Sequence, residues 1–248
     1  MLACRRQRLH NQDSKGPVSA DRGWDEMRHL EAELTELRAR LLEMSGLVEA
    51  GIYSSVQALV NQDAEPAEQV KRNEVRINCM ELEIDELATR LLALEAPVAA
   101  DLRLITAAMK INTDLERMGD LSLNNAERAL RLLKQPPRRP SIDIPHMASL
   151  VEAMVRNALD AFVRADVALA KHVLDADDAV DKVRNSIFDE LIRFMENDST
   201  AVRQCVILMF VARDLERIAD HATNIAEDVL FVIEGVDVRH PASRAVSQ

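Results

Sequence analysis

The alternation of apolar and polar positions is helical over nearly the whole chain. From near Asp25, the apolar residues Leu30, Leu34, Leu37, Leu41 and Met44 recur every three or four positions, which lines one face of an α-helix. This predicts a first helix to about Asn61. Asp63 followed by Pro66 marks the next start, because a carboxylate can accept from the free N–H groups of a first turn and proline loses nothing there. The second helix runs to about Glu95, and Pro97 closes it. Val98 to Lys134 reads as a third, with Leu104, Ala108, Ile111, Leu115 and Met118 on its apolar side. The run Gln135-Pro136-Pro137-Arg138-Arg139-Pro140 is a linker by composition. Beyond it the helical pattern resumes three times, over about Pro145 to Val163, Asp166 to Glu196 and Ser199 to Glu234.

Three helices, a proline-rich joint and three more helices suggest duplication, and the residues support it. Asp114 to Leu130 and Asp214 to Leu230 agree at nine of seventeen positions, at an offset of 100 residues with no gap. Amphipathic helices of separate origin share apolar spacing, but have no reason to share Glu, Arg, Asp, Asn and Glu at fixed places. The expected fold is therefore all-α, two tandem homologous three-helix bundles with six helices in total. Its divisions are a flexible N-terminal extension (1–24), a first repeat (25–134), a linker (135–145) on which the halves hinge, a second repeat (146–235) and a C-terminal tail (236–248).

Composition agrees with this picture. Hydrophobic residues make up 48% of the 248, enough for a sizeable core, while aromatics reach only 3% and Gly and Pro are sparse, as expected of helices. The net charge of −11 opposes binding to nucleic acid or to anionic lipid, so any membrane association is expected to be indirect. No apolar run reaches the roughly 18 residues of a membrane span, and no signal-peptide pattern opens the chain, which places it in the cytoplasm. Cys4, Cys79 and Cys205 are odd in number and widely spaced. They suggest neither disulfides nor zinc, and Cys79 and Cys205 are expected as small reduced residues at or near the core.

The candidate chemistry is a doubled acidic stripe. Glu116, Asp120, Asn124 and Glu127 follow one another at i, i+4, i+8 and i+11, and Glu216, Asp220, Asn224 and Glu227 repeat the spacing. At 3.6 residues per turn each set spans an arc of roughly 80°, opposite Leu115, Met118 and their counterparts. Like charges at i and i+4 repel, so each stripe needs a cation, either an Arg or a metal. The second helix of each repeat offers facing partners, Glu81 with Asp85 and Glu74 with Asn78 in the first, Asp177 with Asp181 in the second. Oxygen ligands favour Mg²⁺, Ca²⁺ or Mn²⁺ and can hold iron. The competing reading is a solvated face balanced by Arg117 and Arg217, and these residues leave the two open. His221, alone beside the stripe, reads as a surface side chain. The chain has no nucleophile paired with a base, no glycine-rich phosphate cradle and no His cluster, so it reads as a non-enzyme.

Leu-Glu-Arg-Met-Gly-Asp at 115–120, Leu-Glu-Arg-Ile-Ala-Asp at 215–220, Ala-Asp-Leu-Arg-Leu at 100–104, Glu-Leu-Glu-Ile-Asp-Glu at 81–86 and Met-Ser-Gly-Leu-Val-Glu at 44–49 together resemble the PhoU family of phosphate-transport regulators. The resemblance covers about Met27 to Gly235. It implies a pair of three-helix bundles, commonly a homodimer, whose acidic motifs hold iron or other metal ions on the bundle surface. By that resemblance the metal ligands would be Glu116, Asp120, Glu216, Asp220, Glu81, Asp85, Asp177 and Asp181, with Asn124 and Asn224 alongside. It also implies negative regulation of phosphate uptake and of the phosphate-starvation response, through contacts with the ATPase subunit of the phosphate ABC transporter and with a sensor histidine kinase. The alternative is a metal-binding bundle with a storage or enzymatic role. Two positions depart from the family pattern: Asn78 stands where a second acid is expected, and Ala219 replaces a glycine.

Overall fold

The computed structural model describes residues 20–95, 97–136 and 140–235, with side chains described from residue 29 onward. The expected C-terminal tail, most of the N-terminal extension and the middle of the linker lie outside the described residues. The elements are α1 (Ala20–Asn61), α2 (Glu65–Leu94), α3 (Ala99–Leu132), α4 (Ile144–Arg164), α5 (Val167–Asn197) and α6 (Val202–Glu234), with a 3₁₀ turn (Ser199–Ala201) before α6. Among the described residues there is no strand.

The helix ends follow from local chemistry. Asp63 accepts from the Glu65 N–H at 3.1 Å, and Pro66 sits in the first turn of α2. Asp143 caps α4 by accepting from the His146 N–H at 3.1 Å, and Asp166 caps α5 through the Leu169 N–H at 3.0 Å. Such caps are each worth about 1 kcal/mol. α6 stops at Gly235, whose φ of 72° is the left-handed conformation glycine adopts without steric cost.

Within each repeat the three helices pack on one another, α1 with α2 and α3, and α4 with α5 and α6. The repeats join where α3 meets α6 and α1 meets α4, so α3 and α6 are covered on most sides while α2 and α5 flank the assembly. One apolar core runs through all six helices and includes Leu41, Met44, Ile84, Ile111, Leu115, Met147, Val180, Leu215 and Ile218. Fully burying side chains of this size contributes about 1.5–3 kcal/mol each. Gly119 lets Ile77 of α2 pack directly on the α3 backbone: a Cβ there would meet its side chain at 3.1 Å. Its counterpart Ala219 is fully buried without glycine's help.

The partners across the α3–α6 seam give its direction. Lys110 pairs with Asp228 at 2.9 Å, Asp114 with His221 at 2.8 Å, and Arg128 with Asp214. As the position rises along α3 its partner falls along α6, so the two helices are antiparallel. Under the 100-residue offset, Lys110 with Asp228 becomes Phe210 with Arg128, and Arg128 does sit 5.6 Å from the Phe210 ring. The duplication is thus visible as an approximate twofold relation. A second tie crosses from α1 to α4, where Glu49 accepts from the Arg156 Nε and Nη2 at 2.9 and 2.7 Å.

One expectation fails. Cys205 is in the core, but Cys79 is exposed on α2. Its neighbours Ile77 and Met80 take the buried face, and a residue between them points away from it.

The Arg128–Asp214 pair generates a test, since Asp214 is only 6% exposed and Arg128 20%. Asp214→Ala leaves a guanidinium buried without its anion and should lower stability by about 3 kcal/mol or more. Replacing both, Arg128→Met with Asp214→Leu, should lose clearly less, as measured by urea unfolding.

Candidate functional site

The acidic residues come together as two clusters on the outer grooves of the bundle, one per repeat. In the α2–α3 groove, Glu81 and Asp85 face Glu116 and Asp120, with Glu74 two turns before Glu81 on α2. The Glu116 carboxyl is raised above its ordinary range, first by partial burial, then by the negative charges of Asp120, Glu81 and Glu74, with Arg117 opposing. Glu81 is raised likewise by burial and by Asp85 and Asp120, against Arg117. Two amides shape this cluster. Asn112, fully buried in α3, donates from Nδ2 to Asp85 Oδ1 and to the Glu81 backbone carbonyl, both at 2.9 Å. Asn78 donates to Glu74, so where the family pattern would place an acid this chain places a donor.

In the α5–α6 groove, Asp177 and Asp181 face Glu216 and Asp220. Asp177 is raised by burial and then by Asp220 and Asp181. Glu216 is raised by burial and by Asp220, while Arg184 opposes. Asp220 is raised by partial desolvation, against the pull of His221, Arg184 and Arg217. The difference between the clusters is Arg184. Its Nη2 lies 2.9 Å from Asp181 and 3.9 Å from Glu216, and its side chain is only 26% exposed. Aligning Asp177 and Asp181 with Glu81 and Asp85 puts Ala88 in its place in the first repeat, so that cluster has no counterpart of Arg184. Arg117 lies 3.6 Å from Glu116 but is 60% exposed.

The sequence-derived residues therefore divide. Glu81, Asp85, Glu116 and Asp120 gather in one groove and Asp177, Asp181, Glu216 and Asp220 in the other, whereas Asn124 and Asn224 stand exposed a turn beyond. His221 is not a free surface side chain: it is 19% exposed and bonded to Asp114 of the other repeat. Arg184 and Asn112 were not among the candidates. Arg184 stands three residues after Asp181, the spacing of a helical ion pair, and Asn112 is a lone amide on an apolar face. Carboxyls pushed up by burial and by one another are groups that a bound cation relieves, so the donor set fits a hard metal ion. Among the described residues, the one set of three His, Cys, Asp or Glu side chains with ligating atoms within 4.8 Å of one another lies elsewhere, at His29, Glu33 and Glu95.

Comparison with known proteins gives consistent matches. The PhoU domain model matches twice, over residues 41–129 and 144–229. A phosphate-specific transport system accessory protein PhoU homolog from Pseudomonas aeruginosa is 41% identical over 210 residues, covering 84% of this chain and 87% of that protein. One from Aquifex aeolicus is 39% identical, covering 84% and 94%. The crystal structure of PhoU from Pseudomonas aeruginosa superposes with a TM-score of 0.79 at 41% identity, over 83% of this chain and 99% of that one. The phosphate transport system regulatory protein PhoU from Streptococcus pneumoniae does so with a TM-score of 0.78 at 27% identity, over 85% and 100%.

The raised carboxyls make stability depend on pH in chelator-treated protein. Their folded values exceed the unfolded ones, so the folded state binds more protons and stability is full below the ordinary carboxyl range. It is lost as pH rises through the elevated values. Glu116→Gln with Glu216→Gln should flatten that loss and raise stability at neutral pH, read from urea midpoints between about pH 4 and pH 8.

Proposed function

The chain belongs to the PhoU family, and from that membership we propose that it is a negative regulator of phosphate uptake and of the phosphate-starvation response. It acts in the cytosol as a non-enzymatic adaptor between the ATPase subunit of a phosphate ABC transporter and a sensor histidine kinase, as a homodimer. The observation that carries the reading is the doubled PhoU match combined with relatives named as accessory proteins of phosphate-specific transport. Among the described residues no helix is long and apolar enough to cross a membrane, which accords with an adaptor that reaches the membrane through its partners. An adaptor reports a transporter's state only by binding one conformation more tightly, since equal affinity for both shifts nothing.

The acidic clusters support a second element of the proposal, that the protein binds hard metal ions. Glu81, Asp85, Glu116 and Asp120 would hold an ion in the first repeat, and Asp177, Asp181, Glu216 and Asp220 in the second. Such an ion, iron or Mg²⁺, Mn²⁺ or Ca²⁺, supplies positive charge against the four carboxyls gathered in each groove. It would also tie α2 to α3 and α5 to α6.

Loss of the protein should leave phosphate-starvation genes active at high phosphate, as measured by a reporter in deletion and complemented strains. Full repression in the deletion strain, with no second copy in the genome, would overturn the regulatory reading. Asp120→Asn with Asp220→Asn should remove most metal seen by elemental analysis of purified protein and leave helical circular dichroism unchanged. Unchanged metal content in this variant would make the clusters structural.

A further inference from the structure

We infer that the chain carries a separate site for a zinc-class divalent cation, formed by His29, Glu33 and Glu95 where the N-terminal part of α1 meets the end of α2. The ligating atoms of the three side chains all lie within 4.8 Å of one another, and His29 Nδ1 is 3.4 Å from Glu95 Oε1. His29 and Glu33 are one turn apart on α1, so they share a face, and Glu95 reaches them as the C-cap residue of α2. The site shares no residue with the acidic clusters and lies about 15 Å along α2 from Asp85, at 1.5 Å per residue.

Glu33 and Glu95 are only 17% and 20% exposed, and among the described residues Arg90, 3.1 Å from Glu33, is the one permanent cation paired with either. The C-terminal end of α2 adds its own negative pole, and the last turn of that helix holds no basic residue to offset it. The donor set separates this site from the grooves: one imidazole nitrogen with two carboxylates suits a borderline ion such as Zn²⁺, whereas all-oxygen clusters suit harder ions. His29 is 62% exposed, which leaves ions an entry path and leaves room for water as a fourth ligand. A bound ion would clamp α1 to α2 without involving α3.

The test is calorimetric titration of Zn²⁺ into the chelator-treated full chain, in the parent and in the Asp120→Asn, Asp220→Asn background that disables the grooves. That background should keep one zinc equivalent. Adding His29→Ala or Glu95→Gln should weaken this binding at least about tenfold and abolish the zinc-dependent rise in melting temperature. Melting in chelator, followed for each variant, separates a lost ligand from a lost fold. A stoichiometry and affinity for zinc that are unaffected by His29→Ala, or no zinc retained in the groove-disabled background, would overturn the inference.

Discussion

The antiparallel contact between α3 and α6 governs the rest of the molecule. Each of these helices packs against both other helices of its own repeat and against its counterpart in the other, so most of its circumference must be apolar or internally paired. A charge on the seam has to find its partner there, since desolvation without one costs several kcal/mol. Lys110 with Asp228, Asp114 with His221 and Arg128 with Asp214 meet that requirement. Arg103 also reaches across, donating to the Val232 carbonyl at 3.3 Å, while the acidic stripe of each helix lies on its open side, beside α2 or α5. The acidic stripe is a consequence of this crowding as well as a candidate site: four oxygen-bearing residues in an arc of roughly 80° fill the arc the packing leaves free.

What the sequence made legible follows from the range of each interaction. Helix number, order and ends rest on local spacing, on capping Asp residues and on prolines, and these are read within a few positions. Only the start of α1 differs noticeably, at Ala20 rather than near Asp25. The duplication was legible because it preserved polar identities at a constant offset. The facing of Glu81 and Asp85 toward Glu116 and Asp120 followed from the antiparallel neighbours of a three-helix unit. The seam did not follow. Asp114 and His221 are 107 positions apart, and Arg128 and Asp214 are 86, with the two repeats between them. No helical periodicity joins such pairs, so His221 looked solitary when it is a cross-repeat partner. Cys79 was misplaced for a simpler reason, because hydrophobic character alone does not decide which side of a helix a small residue occupies.

Duplication copied the stripes together with Arg117 and Arg217 but gave only the second repeat Arg184, and this separates the two repeats chemically. At about 4 Å, and with an effective dielectric near 20, opposite unit charges attract by about 4 kcal/mol. An ion entering the α5–α6 groove must therefore displace Arg184 from Asp181 and Glu216 or share them with it, at the expense of an attraction of that order. In the α2–α3 groove the corresponding residue is Ala88, and the exposed Arg117 can swing into solvent at little loss. Asn78 takes one acid from that set, but Asn112 still donates to Asp85 and restricts its orientation. The balance favours the first repeat: the one cation beside its carboxylates, Arg117, is exposed and weakly held, so most of their mutual repulsion is left for an ion from outside to relieve. The second repeat is already partly neutralised by Arg184, so the same acidic motif is closer to a structural ion-pair network there than in the first.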